Sequence, residues 1–239
     1  MLRQLELDNV LFLDIETVSA ARHFDDLDAD WQALWSDKSK WIRERDDLTL
    51  SQSYGRAGIY AEFGKIVCIS VGYFAQSFGE RRFRVTSFYG EDEVKLLQEF
   101  TDLLNSHFNF SGHVLCAHNG KEFDFPYIAR RMLIQGLELP RMLNIAGKKP
   151  WEVPHLDTME LWKFGDFKNY TSLKLLAQVF GIPTPKDDID GSQVGHVYWE
   201  ERDLERIERY CKKDVVSVAQ LVLKFRGEQL LEEDEVVLV

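Results

Sequence analysis

Residues 9–17 read NVLFLDIET, and the reading of this stretch decides the fold. Residues 9–15 are rich in Leu, Val and Ile, a short apolar run that predicts a buried strand at the start of the fold. Alternate side chains of a strand share a face, so Asp14 and Glu16 project together from the side that carries Val10 and Phe12, the core side. Two like charges a few ångströms apart against apolar neighbours are unfavourable unless a cation or strong hydrogen bonds compensate. The pair is therefore a candidate metal site; the alternative is a frayed strand end whose carboxylates are solvated.

Outward from this strand, residues 19–62 hold Trp31, Trp35 and Trp41 among many charges. The spacing of Trp31 and Trp35 predicts a short amphipathic helix within a helical excursion between two strands. Residues 65–75 (KIVCISVGYFA) and 83–89 (FRVTSFY), joined by the polar, Gly-containing segment 76–82, read as an antiparallel hairpin. A helix follows over 91–108, with Val94, Leu96, Leu97, Phe100, Leu103 and Leu104 at core spacing, then a short buried strand over 113–117. The next helix, 125–136, has Pro126 in its first turn and Gly136 at its end. Beyond it the pattern predicts a strand over 155–158, a helix over 172–180 stopped by Gly181 and Pro183, and a turn-rich acidic segment over 183–195. The last long helix spans 200–226, with an apolar stripe at Leu204, Ile207, Cys211, Val215, Val218, Val222 and Phe225. No repeat or flexible linker interrupts this series, so it predicts one α/β domain over residues 1–239.

With 45% apolar and 29% charged residues, the 239-residue chain has ample material for a packed interior and does not read as disordered. No apolar run approaches the roughly 20 residues that a membrane helix needs, and MLRQLELDNV shows no secretory signal, so a cytoplasmic protein is expected. The three cysteines, Cys68, Cys116 and Cys211, are widely spaced without a CxxC pair, which argues against a disulfide framework and a zinc knuckle. They are read as small buried thiols. A net charge of −11 has the wrong sign for a protein that coats long duplex DNA. It leaves open an enzyme that grips a few nucleotides, because metal ions supply positive charge at the phosphate.

Two further acids stand out. Asp214 lies in the last helix, three residues after Cys211 and four before Val218, beside the apolar stripe, and Tyr210 shares its face one turn earlier. Asp124 precedes a helix opened by Pro126. Each also has a local reading: an ion-paired Asp beside a core-margin Tyr for the former pair, and helix capping for Asp124.

LDIET at 13–17, HNGKEFDFPYIARR at 118–131 and YCKKD at 210–214 resemble, in chain order, the three motifs of the DEDD 3′-to-5′ exonucleases. The details are similar to the proofreading domain of family B DNA polymerases, where an Asn, then Phe-Asp, Pro-Tyr and Arg recur in the second motif and Tyr-Cys-x-x-Asp in the third. The likeness covers about residues 10–225, leaving no room within it for a polymerase palm or fingers. The family divides on whether a Tyr four residues, or a His five residues, before the last Asp positions the attacking water; here those positions hold Tyr210 and Arg209, which indicates the Tyr subclass. The resemblance implies a ribonuclease H-like fold, a mixed five-stranded sheet flanked by helices, with 19–62 as an excursion longer than the core pattern requires.

It also implies a 3′-to-5′ exonuclease that releases 5′-mononucleotides from single-stranded nucleic acid, DNA favoured over RNA, with Asp14, Glu16, Asp124 and Asp214 holding two divalent cations. Hard carboxylate ligands suit Mg²⁺ or Mn²⁺ over zinc. By this analogy Asp14 bridges both ions, Glu16 and Asp214 complete one site, Asp124 serves the other, and Tyr210 orients the water. Asn119 and Phe123 border the terminal nucleotides, with Phe123 stacking on a base, and Thr17 lies near the 3′ hydroxyl. The competing readings are a short-RNA 3′-to-5′ exoribonuclease and a non-catalytic module that binds nucleic acid or a polymerase.

Overall fold

The opening strand is buried on both faces, which is why it reads as a nearly unbroken apolar run. In the computed structural model, which describes all residues except 1, 3, 78, 167–169 and 184–188, this strand is β1, Val10–Ser19. The other strands are β2 (Gly64–Ser77), β3 (Glu80–Tyr89), β4 (Val114–Ala117), β5 (Leu156–Asp157) and β6 (Val236–Leu238). The helices are α1 (Ala29–Asp46), α2 (Leu50–Tyr54), α3 (Glu93–His107), α4 (Asp124–Ile134), α5 (Thr158–Lys163), α6 (Leu173–Phe180), α7 (Val194–His196) and α8 (Leu204–Arg226). The strands form one mixed sheet in the order β5-β4-β1-β2-β3-β6. β1 and β2 pair antiparallel, as do β2 and β3; β1 and β4, β4 and β5, and β3 and β6 pair parallel.

Leu11, Leu13 and Ile15 pack on one side of the sheet with Leu97 and Phe100 of α3 and Phe125 and Ile128 of α4. Val10 and Phe12 point the other way and meet Val215, Val218 and Val222 of α8. Helices thus cover both faces, the α/β layering expected for a ribonuclease H-like fold. Among the described residues no helix is long and apolar enough to cross a membrane.

Several expectations need correction. Among the described residues the sheet has six strands where five were expected: Val236–Leu238, beyond the last helix, pairs with β3, Phe83 opposite Val236. The hairpin is tighter than 76–82, because pairing persists to Ser77 opposite Glu80 and Gly79 adopts φ +83°, a turn conformation that Gly takes without strain. Residue 78 of that segment lies outside the described residues. The strand expected over 155–158 is only Leu156–Asp157, since the Asp157 side chain caps α5 and starts a helix at Thr158. The helix expected from 200 begins at Leu204: Val197–Glu201 is a π-helical turn, Arg202 at φ +59° breaks the path, and Asp203 caps the new helix. In the turn-rich segment 183–195, residues 184–188 lie outside the described residues.

The excursion between β1 and β2 is helical, as expected, but α1 is 18 residues long instead of short. Only Trp35 of its tryptophans is fully buried, among Tyr54, Ala57 and Phe63, with its indole N–H donating to Ser53 Oγ at 3.1 Å. Trp31 and Trp41 remain exposed at its surface. The end of the excursion is pinned by a buried ion pair. Arg131 of α4 donates to both Glu93 oxygens, at 2.9 and 2.6 Å, and to the Ala61 carbonyl at 2.8 Å, while Glu93 also accepts the Ile66 N–H at 2.7 Å. One pair thereby ties α3, α4, the excursion and the start of β2 together.

Removing one partner would leave the other charge buried and uncompensated, which typically costs about 3–5 kcal/mol. Arg131→Ala is therefore expected to lower unfolding free energy by that order in urea titrations, and a loss below about 1 kcal/mol would contradict the pinning role.

Candidate functional site

β1 carries two acids on the face toward α8, and the local pairing gives them room. Asp14 lies opposite Ser70 and Glu16 opposite Cys68, after which the register slips so that Thr17 faces Ile66. The slip leaves Val67 as an extra residue on β2, and both Val67 and Cys68 join the cluster under α8 with Val18, Ile207 and Cys211. Glu16 is buried and Asp14 partly buried. Thr17, one residue on, turns to the opposite face, where its hydroxyl bonds to that of Tyr127, which itself donates to the Gly58 carbonyl at 2.7 Å.

The third acid arrives where β4 stops. β4 pairs with β1 only as far as Phe12 opposite Cys116, so the edge of β1 beyond it lacks a strand partner. There the Asp124 carboxylate, at the start of α4, accepts the N–H of Ile15 together with its own. The loop leading to it, 118–123, is drawn tight: a Cβ on Gly120 would meet the Ala117 Cβ at 2.5 Å and the Phe125 ring at 2.8 Å, so only Gly fits. Asn119 in this loop sits at φ +66°, and its side-chain Oδ1 is buried without a hydrogen-bond partner. An unmade bond of that kind typically costs about 1–3 kcal/mol. Phe123, at the cap of α4, packs against Tyr127 with ring centroids 5.3 Å apart.

α8 supplies the rest. Tyr210 and Asp214 lie one turn apart, and the Tyr210 hydroxyl bonds to the Asp214 carboxylate. Between them, the Cys211 thiol donates to the Asp14 backbone oxygen and to Asp14 Oδ2, each at 3.3 Å. Donor atoms of Asp14, Glu16 and Cys211 all lie within 4.8 Å of one another.

Electrostatics show what this convergence costs. Burial, then the charges of Glu16, Asp214 and Asp124, pushes Asp14 well above the usual carboxylate range. Burial, then Asp214, does the same to Glu16. Asp124 is raised to about 7, by burial first and by Asp157 and Asp214, against the two N–H bonds that favour its charged form. Burial, followed by Asp214, Glu16 and Asp14, raises the Tyr210 phenol, so it stays neutral. Burial likewise raises the Cys211 thiol, which therefore acts on Asp14 as a neutral donor. The largest charges acting on Asp14 are acids, and oxygen donors dominate the set; this arrangement fits a hard divalent cation.

The structure thus gathers Asp14, Glu16, Asp124, Asp214 and Tyr210, places Asn119 and Phe123 in the adjoining loop, and turns the Thr17 side chain away. Three contributors escaped the sequence reading. Cys211 was assigned no chemistry, although its place between Tyr210 and Asp214 on one helix face marked it. Asp157 accepts backbone N–H groups from Asn119 and Lys121, each at 3.0 Å, and the Arg131–Glu93 pair anchors α4. No sequence spacing shows these long-range bonds.

A family model described as a predicted 3′-5′ exonuclease related to the exonuclease domain of PolB matches residues 59–235. The match includes the loop with Asn119, the start of α4 and the Tyr210–Asp214 turn, and begins after the part of β1 that carries Asp14 and Glu16. Among solved structures, the family B DNA polymerase from the hyperthermophilic archaeon Pyrobaculum calidifontis is similar in fold, with a TM-score of 0.51 at 16% identity over 90% of this chain. The alignment spans 24% of the polymerase chain.

A carboxyl raised in the folded state binds its proton more tightly there than when unfolded, so stability is lost as pH climbs from the unfolded value to the folded one. Asp124→Asn removes the group that titrates near 7. In EDTA, its thermal stability relative to the parent protein is expected to increase from pH 5 to pH 8. A difference that is flat or reversed across that range would contradict the electrostatic account.

Proposed function

Because the chain belongs to the family of predicted 3′-5′ exonucleases related to the exonuclease domain of PolB, we propose that it hydrolyses 3′-terminal phosphodiester bonds of single-stranded nucleic acid, DNA in preference to RNA, and releases 5′-mononucleotides. The observation that carries this reading is the convergence of Asp14, Glu16, Asp124 and Asp214 from three separate elements, with Tyr210 bonded to the last of them. Residues 1–239 are read as one exonuclease domain, with a core of about 10–225 and 19–62 as its helical excursion.

Two Mg²⁺ or Mn²⁺ ions held by these four carboxylates would supply the positive charge that makes a water nucleophilic near neutral pH and offsets charge on the leaving 3′ oxygen. The protein's own groups do the positioning. Tyr210, held neutral by its surroundings, cannot serve as a base at ordinary pH. Its hydroxyl, tethered to Asp214, orients the attacking water. Cys211 fixes the Asp14 carboxylate through its thiol proton. Phe123 offers a ring face to a base, and Asn119 borders the terminal nucleotide. The Thr17 hydroxyl is committed to Tyr127, so Thr17 would meet the 3′ hydroxyl through its backbone. The acidic surface, with a net charge of −11, gives little grip on a duplex and favours frayed or single-stranded ends.

Incubation with end-labelled single-stranded DNA and RNA should show stepwise shortening from the 3′ end that requires a divalent ion, with Asp14→Ala and Asp214→Ala folded but inactive. Full activity in EDTA, or equal cleavage of circular and linear strands, would end this reading. Tyr210→Phe keeps the ring but removes the hydroxyl. Its single-turnover rate at saturating Mn²⁺ should fall on the order of 10²-fold with metal affinity unchanged; an unchanged rate would remove Tyr210 from the mechanism.

A further inference from the structure

Asp157 ends β5 on the edge of the sheet, and its carboxylate is almost fully buried. Its Oδ1 accepts the N–H groups of Met159 at 2.9 Å and Glu160 at 3.2 Å, an ordinary cap for α5. The same carboxylate also reaches a loop nearly forty residues earlier in the chain: Oδ1 accepts the Asn119 N–H and Oδ2 the Lys121 N–H, both at 3.0 Å. A cap needs only the first two bonds. The other two grip the loop that carries Asn119 and leads through Phe123 to Asp124. They hold Asn119 at φ +66° with its Oδ1 buried and unpartnered. A backbone in that state persists only where its surroundings over-determine it.

We propose that Asp157 is a positioning residue for nucleotide binding, clamping the Asn119–Lys121 loop in the conformation in which it meets the 3′-terminal nucleotide. The inference rests on the nuclease reading above and adds to it the residue through which Asn119 acts. Lys121 and Glu160 reinforce the clamp with a salt bridge at 2.6 Å between the same two segments. His118 adds a second link, its Nδ1 lying 2.9 Å from Thr158 Oγ1.

Asp157→Ser separates the two duties, because a Ser at this position still caps α5 but is too short to hold the loop as well. Single-turnover cleavage of a 5′-labelled single-stranded oligonucleotide in Mn²⁺ would be measured for the parent, Asp157→Ser, Asp157→Asn, Asn119→Ala and the Asp157→Ser/Asn119→Ala double variant. Asp157→Ser should raise the half-saturating oligonucleotide concentration about tenfold and leave the saturated rate within about threefold. Asp157→Asn, which retains one acceptor oxygen, should fall between it and the parent. In the Asn119→Ala background, Asp157→Ser should add less than about twofold, since both act on one element. Hydrogen exchange should quicken at the Asn119 and Lys121 amides while the core of β1 stays protected.

Additive penalties, a loss confined to the saturated rate, or unfolding of both Asp157 variants would overturn the proposal and make Asp157 a structural cap alone. A parent protein inactive on every 3′ end would overturn the nuclease reading along with it. An active parent combined with any of the former results overturns this inference only.

Discussion

Mutual repulsion among buried carboxylates is the constraint on which the rest of this structure depends. Asp14 and Glu16 share a strand face, Asp124 leans on the same strand from its open edge, and Asp214 approaches from the helix above. Left to themselves these groups would separate or take up protons, and the raised values of three of them show the second tendency. Their positions are fixed because each sits on an element whose packing is determined elsewhere. β1 is buried between two helical layers, α8 presents a continuous apolar stripe to the sheet, and α4 is tied down by Arg131. The repulsion is thus maintained by apolar burial and one ion pair, and under the proposed function it would provide the affinity for a cation.

The excursion between β1 and β2 belongs to that support. Its far end delivers the Gly58 carbonyl to Tyr127 and the Ala61 carbonyl to Arg131, both on the helix that begins with Asp124. Ala20 and Phe63 close its base with a backbone hydrogen bond of 2.8 Å. Trp35 fills the small core of the excursion, packed with Tyr54, Ala57 and Phe63. A segment that reads as surplus to the fold therefore braces the helix that carries Asp124.

How much was legible in the sequence follows from the range of each interaction. β1, the hairpin and the stripe of α8 were legible because alternation and 3.6-residue spacing are local signals. The pairing of Asp14 with Glu16, and of Tyr210 with Asp214, followed from the same periodicities. What joins those pairs is not local: the Ile15 N–H that donates to Asp124 is left without a strand partner because β4 is short, and sequence pattern sets strand length poorly. β6 escaped notice because three apolar residues beyond a helix are too few to carry a period. The break at Arg202 was hidden because a π-helical turn keeps nearly the hydrophobic spacing of the helix that follows it. Asp157 and Glu93 act through backbone N–H groups of distant segments, and every residue type offers such groups.

The central claim is that the four acids are held together against their charge in order to bind divalent cations. Diffraction from crystals soaked in Mn²⁺, with data collected for anomalous scattering, tests it most directly. The account predicts two anomalous peaks contacting Asp14, with Glu16, Asp214 and Asp124 completing their surroundings, and loss of both peaks in Asp14→Ala. Crystals saturated with Mn²⁺ that show no peak among these carboxylates would contradict it, and would make the cluster a set of protonated acids with no cation to hold.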